Sequence, residues 1–188
     1  CKALGQLVNE YDVIIAADFG HGLITPRTAD FLSSKAKFLA VNTQINAANI
    51  GFHAVSKYRR ADYVCIQENE IRLDRRNREG DIAEIVRDLS NRLSCPTVMV
   101  TRGKVGTLLY SRERGAFECP SFAVRIVDRI GAGDAVLAMT SACVYRKVPE
   151  EVTGFIANLV GAQIVGVVGN KSSLDRVPLL KTIESILK

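Results

Sequence analysis

The stretch Val124-Arg125-Ile126-Val127-Asp128-Arg129-Ile130-Gly131-Ala132-Gly133-Asp134-Ala135-Val136 decides how the rest of this sequence is read. Its β-branched start, Val124 to Val127, predicts a strand that ends at Asp128. Gly131 and Gly133 then let the backbone turn tightly and pass close to a ligand with no Cβ in the way. A helix opens there. Its first amides lack partners within the helix and aim at one spot, where the helix dipole adds positive potential. Such a start suits a phosphate or a developing phosphoryl charge. Asp134 sits among those amides, where a carboxylate is expected to stay ionised and to accept a proton from a substrate hydroxyl. Spacing alone leaves a second reading open, a structural turn with Asp134 capping the helix. A dinucleotide fingerprint is disfavoured, because Val136 stands where its third glycine belongs. No GxxxxGK[ST] loop occurs, and Asp18-Phe19-Gly20 lacks the other segments that give this tripeptide meaning in protein kinases.

Outward from this junction, strand-type runs alternate with helical ones, the pattern of an α/β layer fold. Asp12 to Ala17 reads as a buried parallel strand, and Thr25-Pro26 as the cap and first turn of a helix reaching Lys35 with Ala29, Phe31 and Leu32 inward. Phe38 to Val41 is the next strand, followed by a long loop over 43–57. Tyr63 to Ile66 is a strand and Glu68 to Arg75 a helix. Asp81 caps another helix, bearing Ile82, Ile85, Val86, Leu89 and Leu93 at helical spacing. Strands are expected at Thr97 to Thr101, Thr107 to Tyr110, around Phe117 and at Ala123 to Val127. Helices follow at Gly131 to Tyr145, Pro149 to Val168 and Pro178 to Leu187. With no repeat or linker, residues 1–188 read as a single α/β domain.

Composition narrows the class. Apolar residues make up 47% and charged residues 24%, which excludes a disordered or collagen-like chain. A net charge of +5 suits an anionic ligand without demanding nucleic acid. The five cysteines form no CxxC pair and read as reduced thiols, so a cytoplasmic compartment is expected. The weakly polar run from Gly154 to Gly169 is shorter than the ~20 residues of a membrane span and reads as a buried helix. The chain opens on Cys1, not Met, and reads as a piece of a longer protein.

Asp128-Arg-Ile-Gly-Ala-Gly-Asp134 resembles the DTxGAGD signature of the ribokinase-like (PfkB) carbohydrate kinases. Other segments resemble the family in its own order. Thr101-Arg-Gly103-Lys-Val-Gly106 is similar to its TxGxxG nucleotide-side turn, and Gln67-Glu68-Asn69-Glu70 to its NxxE motif with glutamine for asparagine. Asn158 matches the asparagine of the adenine pocket, and Asp18-Phe-Gly-His-Gly22 is similar to the DYxKG loop of the heptose-phosphate kinase branch. The resemblance spans essentially the whole chain but only the C-terminal part of a family member.

That resemblance implies a largely parallel central sheet with helices on both faces, incomplete at its N-terminal side. It implies transfer of the γ-phosphoryl of ATP to a hydroxyl of a sugar or sugar phosphate. Asp134 would be the base, and the amides of Gly131, Ala132 and Gly133 would form the anion hole. Gln67, Glu70, Thr101, Gly103, Gly106 and Asn158 would serve the nucleotide and its Mg²⁺. Asp128 would shape a site for a monovalent cation such as K⁺. The resemblance further suggests fusion to a nucleotidyltransferase domain, admits a homodimer, and implies neither a nucleic-acid nor a membrane partner. Departures are Asn42-Thr43-Gln44 where the heptose branch has Asp-Pro-Lys, His21 where it has lysine, and Gln67. They leave two alternatives, altered sugar specificity or a catalytically inactive nucleotide-binding or regulatory module.

The remaining polar residues read blandly. His21 and His53 lack metal-ligand spacing and are expected to hydrogen-bond within loops, with substrate contact by His53 the alternative. Lys57-Tyr58-Arg59-Arg60 reads as a solvated turn before a strand, and Arg72, Arg75, Arg76 and Arg78 as solvated helix ends. Without the resemblance, Glu70 favours a helix dipole, and Asn158 satisfies a backbone group as readily as it contacts a base.

Overall fold

Parallel strands that are apolar at successive positions need cover on both faces, and the central strands of this chain have it. The computed structural model describes residues 2–46, 48–50, 53–123, 125–166, 168 and 173–188. Six strands lie in the sheet in chain order: β1 (Ile14–Asp18), β2 (Leu39–Thr43), β3 (Tyr63–Gln67), β4 (Thr97–Thr101), β5 (Gly106–Ser111) and β6 (Gly115–Pro120). The first four are parallel, and β5 and β6 return antiparallel. The helices are α1 (Lys2–Leu7), α2 (Pro26–Lys35), α3 (Glu68–Asp74), α4 (Ile82–Arg92), α5 (Ala132–Tyr145), α6 (Glu150–Val165) and α7 (Arg176–Ile186).

Strand side chains alternate between faces, and β2 to β5 are covered on both. The edge strand β1, expected to be fully buried, is covered on one face only, with Ile15 and Ala17 exposed on the other. Val64 and Ile66 of β3 join Leu39, Val41, Val98 and Val100 under α2 and α4, which contribute Leu32, Ile85, Val86 and Leu89. Cys95 belongs to this layer. Tyr63 and Cys65 point the other way and join Ala40, Met99 and Leu109 under Val136 and Leu137 of α5 and Ala157 and Val160 of α6. The Tyr63 and Thr140 hydroxyls share a buried 2.7 Å hydrogen bond that pins α5 to β3.

Local chemistry sets the helix starts. Thr25 Oγ1 accepts from Thr28 N at 3.2 Å with Pro26 in the first turn, and Asp81 Oδ1 accepts from Glu84 N at 3.0 Å. Caps of this kind are worth about 1 kcal/mol each. The parallel register sets Asp18 beside Thr43 and Gln67 beside Thr101, so the carboxyl ends of β1 to β4 share one rim. Open parallel sheets bind ligands outside that rim.

The structure corrects several expectations. No strand occurs at 123–127 among the described residues; Val124 lies outside them. Instead the amides of Val127 and Asp128 both donate to Val165 O, at 2.7 and 3.1 Å, so this backbone closes the end of α6 rather than a ladder. For the same reason α6 stops at Val165 instead of Val168; Val167 lies outside the described residues. The stretch 43–57, in which residues 47, 51 and 52 lie outside them, is not all loop: Thr43 ends β2, and Val55–Lys57 forms a 3₁₀ turn. Helix α1 has no cap signal in the sequence and is an addition to the expected elements.

Candidate active site

A cavity of about 280 Å³ opens at the rim. Asn42 of β2 and Gln44 just beyond it wall it, with Gln67 and Glu70 at the start of α3 and Thr101, Gly103 and Gly106 between the end of β4 and the start of β5. Arg129, Ala132 and Gly133 close it at the start of α5, and Ala157, Asn158 and Gly161 line it from α6. Eight of the expected site residues therefore meet in one wall: Gln67, Glu70, Thr101, Gly103, Gly106, Ala132, Gly133 and Asn158. Asp134 is half-buried beside them, and Gln44 Nε2 donates to its Oδ1 at 3.2 Å. Gly131 and Asp128 lie in the adjoining turn and not in the wall itself.

The turn is built by its glycines and an aspartate. Gly131 caps α5 at φ 77°, in the left-handed region open to glycine, and its carbonyl accepts the first helical bond from Ala135 N at 3.0 Å. Gly133 is different: a Cβ there would meet nothing within 4 Å, so protein packing does not require the glycine and the space before it is open. Asp128 Oδ1 accepts from Ile130 N at 3.0 Å and shapes the approach. Of the expected anion-hole amides, that of Ala132 already reaches Arg129 O at 3.3 Å. Burial pushes the Asp134 carboxyl above the usual carboxylate range, which opposes the expectation that the helix start alone keeps it ionised.

Gln67 and Glu70 hold α3 reciprocally. Gln67 Oε1 accepts from Asn69 N at 2.6 Å, and Glu70 Oε2 accepts from Gln67 N at 3.1 Å. Glu70 Oε1 accepts from Ile45 N at 3.1 Å, tying α3 to the loop after β2. Burial raises the Glu70 carboxyl, against the pull of these two amides. Asn158 is buried in α6, and its Nδ2 reaches Thr107 Oγ1 at 2.8 Å, Gly154 O at 2.9 Å and Cys119 O at 3.3 Å. Its side chain thus does satisfy backbone groups, while the residue also lines the cavity.

Two wall residues, Asn42 and Gln44, stand out in the sequence only as departures from the heptose branch and not as members of the site. Asn42 is buried, and its Nδ2 donates to Cys65 O at 2.7 Å. That bond orients the amide and leaves Oδ1 without a partner among the described residues. Gln44, a departure from the heptose branch, proves to be a contact of Asp134. The available signal is position, since both residues stand at the carboxyl end of a parallel strand.

The Lys57-Tyr58 segment is not a solvated turn. Asp18 is buried, the Tyr58 hydroxyl donates to its Oδ2 at 2.9 Å, and Lys57 pairs with the same oxygen. His53 Nε2 meets Asp18 O at 3.0 Å, the loop role expected of it. Arg60 turns inward to Ser33 O, Ala36 O and Asp62. Arg72 and Arg75 are likewise largely covered, paired with Glu68 and with Asp74 and Asp88. Among the described residues, no group of three His, Cys, Asp or Glu side chains is placed to hold a metal ion. No helix there is long and apolar enough to cross a membrane.

The family described as pfkB family carbohydrate kinase matches residues 28–176, a span that includes every residue of the cavity wall. The chain belongs to the pfkB family of carbohydrate kinases. This pfkB-family chain is 26% identical over 194 residues to the bifunctional protein HldE of Campylobacter jejuni subsp. doylei, covering 96% of the chain and 40% of that protein. It is 26% identical over 186 residues to HldE of Shewanella sp. strain ANA-3, covering 97% and 37%. The chain thus spans about two fifths of the length of these curated relatives. Among solved structures it superposes on ribokinase from Thermotoga maritima with a TM-score of 0.74 at 17% identity, covering 96% of the chain and 59% of that one. Phosphofructokinase-2 from Escherichia coli in complex with potassium gives 0.81 at 13% identity, covering 100% and 62%. These likenesses establish a ribokinase-like fold.

Proposed function

We propose that this chain is the nucleotide-binding, phosphoryl-transferring portion of an ATP-dependent kinase acting on a hydroxyl of a sugar or sugar phosphate. The observation that carries the reading is the half-buried Asp134 carboxylate in the first turn of α5, beside a walled cavity and an open space before Gly133. In this mechanism Asp134 takes the proton of the acceptor hydroxyl as that oxygen bonds to phosphorus and the bond to the departing nucleotide oxygen breaks. The amides of Gly131 and Gly133, helped by that of Ala132, and the α5 dipole face the charge that develops. Thr101, Gly103, Gly106 and Asn158 serve the nucleotide, with Gln67 fixing Glu70.

Mg²⁺, when bound, neutralises phosphate charge. Glu70 and the Asn42 Oδ1, which has no partner among the described residues, are hard oxygen donors that suit it, and the nucleotide would supply most of its ligands. Asp128 is assigned to the surroundings of a monovalent cation such as K⁺. The relatives are named bifunctional, which supports a parent protein joining this domain to a nucleotidyltransferase. Buried free thiols at Cys65, Cys95, Cys119 and Cys143 support a cytoplasmic setting. A homodimer is tested by sedimentation of the full-length protein.

Calorimetry with Mg²⁺–ATP and a turnover screen on ribose, fructose 6-phosphate and heptose 7-phosphate test the reading in the full-length protein. Asp134→Asn should keep nucleotide binding and lower turnover by orders of magnitude; unchanged turnover rejects the base. The second reading, an inactive nucleotide-binding or regulatory module, is favoured by Asn42-Thr43-Gln44 and Gln67. Nucleotide binding without turnover of any acceptor selects it.

A further inference from the structure

Gln44 and Asp134 stand 90 residues apart in sequence, yet the Gln44 amide meets the carboxylate at 3.2 Å. The backbone that presents it is fixed on both sides. Gln44 N donates to Asp18 O at 2.9 Å, and Gln44 O accepts from Asn49 Nδ2 at 3.4 Å. Asp18 O is itself engaged by His53 Nε2 at 3.0 Å. An ionised carboxylate only accepts, so the amide must present its NH₂ group, not its oxygen. A carboxamide does not exchange its charge state in the working pH range, so it can orient a base but cannot replace one.

The geometry points to Gln44 as a positioning residue for Asp134: its amide occupies Oδ1, fixes the plane of the carboxyl group and leaves Oδ2 to the acceptor hydroxyl. This inference rests on Asp134 being the base. A donor on the charged form favours ionisation and so opposes the burial that raises this carboxyl. Among the described residues, other groups around this end of α5 do not supply that donor. Cys65 of β3 is buried and neutral, its thiol pushed up to about 12 by burial, with smaller contributions from Glu70 and Asp134. Glu70 of α3 is engaged by the amides of Ile45 and Gln67, Asp18 of β1 is occupied by Lys57 and Tyr58, and Asp128 is turned to Ile130 N. Arg129 is the cation of the turn and stands exposed at the cavity wall. Strand β2 and the α6 segment from Gly154 to Val165 contain no ionisable side chain.

The bond is not needed to hold the fold, because a half-buried carboxylate that loses it regains water. Its signature is therefore ionisation and rate. The Asp134 carboxyl resonance, assigned by its loss in Asp134→Asn, is titrated by ¹³C NMR in the full-length protein, its Gln44→Leu variant and its Gln44→Lys variant. Hydrolysis of Mg²⁺–ATP with water as acceptor is measured on the same samples. Gln44→Leu should move the titration and the acid limb of the rate profile upward. It should lower kcat about tenfold or more with KM for ATP unchanged. Gln44→Lys, which restores a donor, should move both downward and recover rate. Superimposable titrations in all three proteins overturn the inference, and Gln44→Lys keeps it falsifiable if the leucine variant folds poorly. The base reading fails by a different result, wild-type turnover in Asp134→Asn, which would remove the catalytic meaning of Gln44 even where the titration moves.

Discussion

Asn158 Nδ2 and Thr107 Oγ1 lie 2.8 Å apart at the cavity wall, joining α6 to β5. The same amide also reaches Gly154 O and Cys119 O; Gly154 O keeps its helical donor, so removing the amide takes a donor from acceptors on β5 and β6. Asn158→Leu should cost about 2–4 kcal/mol, as expected for buried acceptors left unmade, and should weaken nucleotide binding. Urea unfolding and calorimetry on one preparation check both; an unchanged midpoint would show the network to be dispensable.

The two glycines of the turn should separate stability from function. Gly131→Ala forces a Cβ into the left-handed region at φ 77° and should destabilise by about 1 kcal/mol or more. Gly133→Ala meets no protein atom within 4 Å and adds helix propensity, so stability should hold or rise slightly. Its methyl group projects into the space assigned to phosphate, and turnover should fall. Thermal melts paired with ATP titration decide the point, and a Gly133→Ala protein that turns over normally removes that space from the mechanism.

Asp134 makes stability depend on pH with a defined sign. Burial raises its folded carboxyl above the unfolded value, so between the two the folded chain holds more protons and loses stability as pH rises. Asp134→Asn removes this titration. The variant should be the more stable protein at pH 7, and its advantage should vanish once pH falls below the ordinary aspartate value of ~3.9. Urea midpoints across pH report it directly. A less stable variant at pH 7 would mean that partners such as Gln44 outweigh desolvation.

Tyr58→Phe removes the hydroxyl that donates to buried Asp18 at 2.9 Å. A hydrogen bond to a charged group contributes about 1.5–3 kcal/mol, and a loss of that size is expected. Burial and the nearby Asp18 charge push the Tyr58 phenol far above its ordinary value, so it remains a donor throughout the pH range of the assay. Denaturant curves at neutral and mildly alkaline pH measure the loss, with unaltered midpoints as the contrary result.

Signals that act locally are legible in the sequence, and distant ones are not. Thr25, Asp81 and Gly131 each work within one helical turn of themselves, and each stands where its chemistry places it. The family motifs are legible for the same reason, and the fold brings most of them into one wall. The 123–127 segment misleads through composition, because its β-branched residues suggest a ladder while the Val127 amide closes α6. Lys57 and Tyr58 mislead through distance. Their partner, Asp18, lies 40 residues before Tyr58, and only the folded chain makes them neighbours. Asn42 and Gln44 gain their meaning in the same way, once β2 is known to end at the rim.

Cys65 and Cys95 sit in opposite layers of the sheet, and burial pushes both thiols up to about 12. Both are covered and neither is appreciably ionised while its layer is shut, so alkylating reagents should ignore them in the native protein. Each sulfur becomes reactive only when its own side of the sheet comes apart. The chain therefore carries two natural clocks, and comparing their modification rates under mild denaturant would tell whether the α5–α6 layer or the α2–α4 layer lets go first.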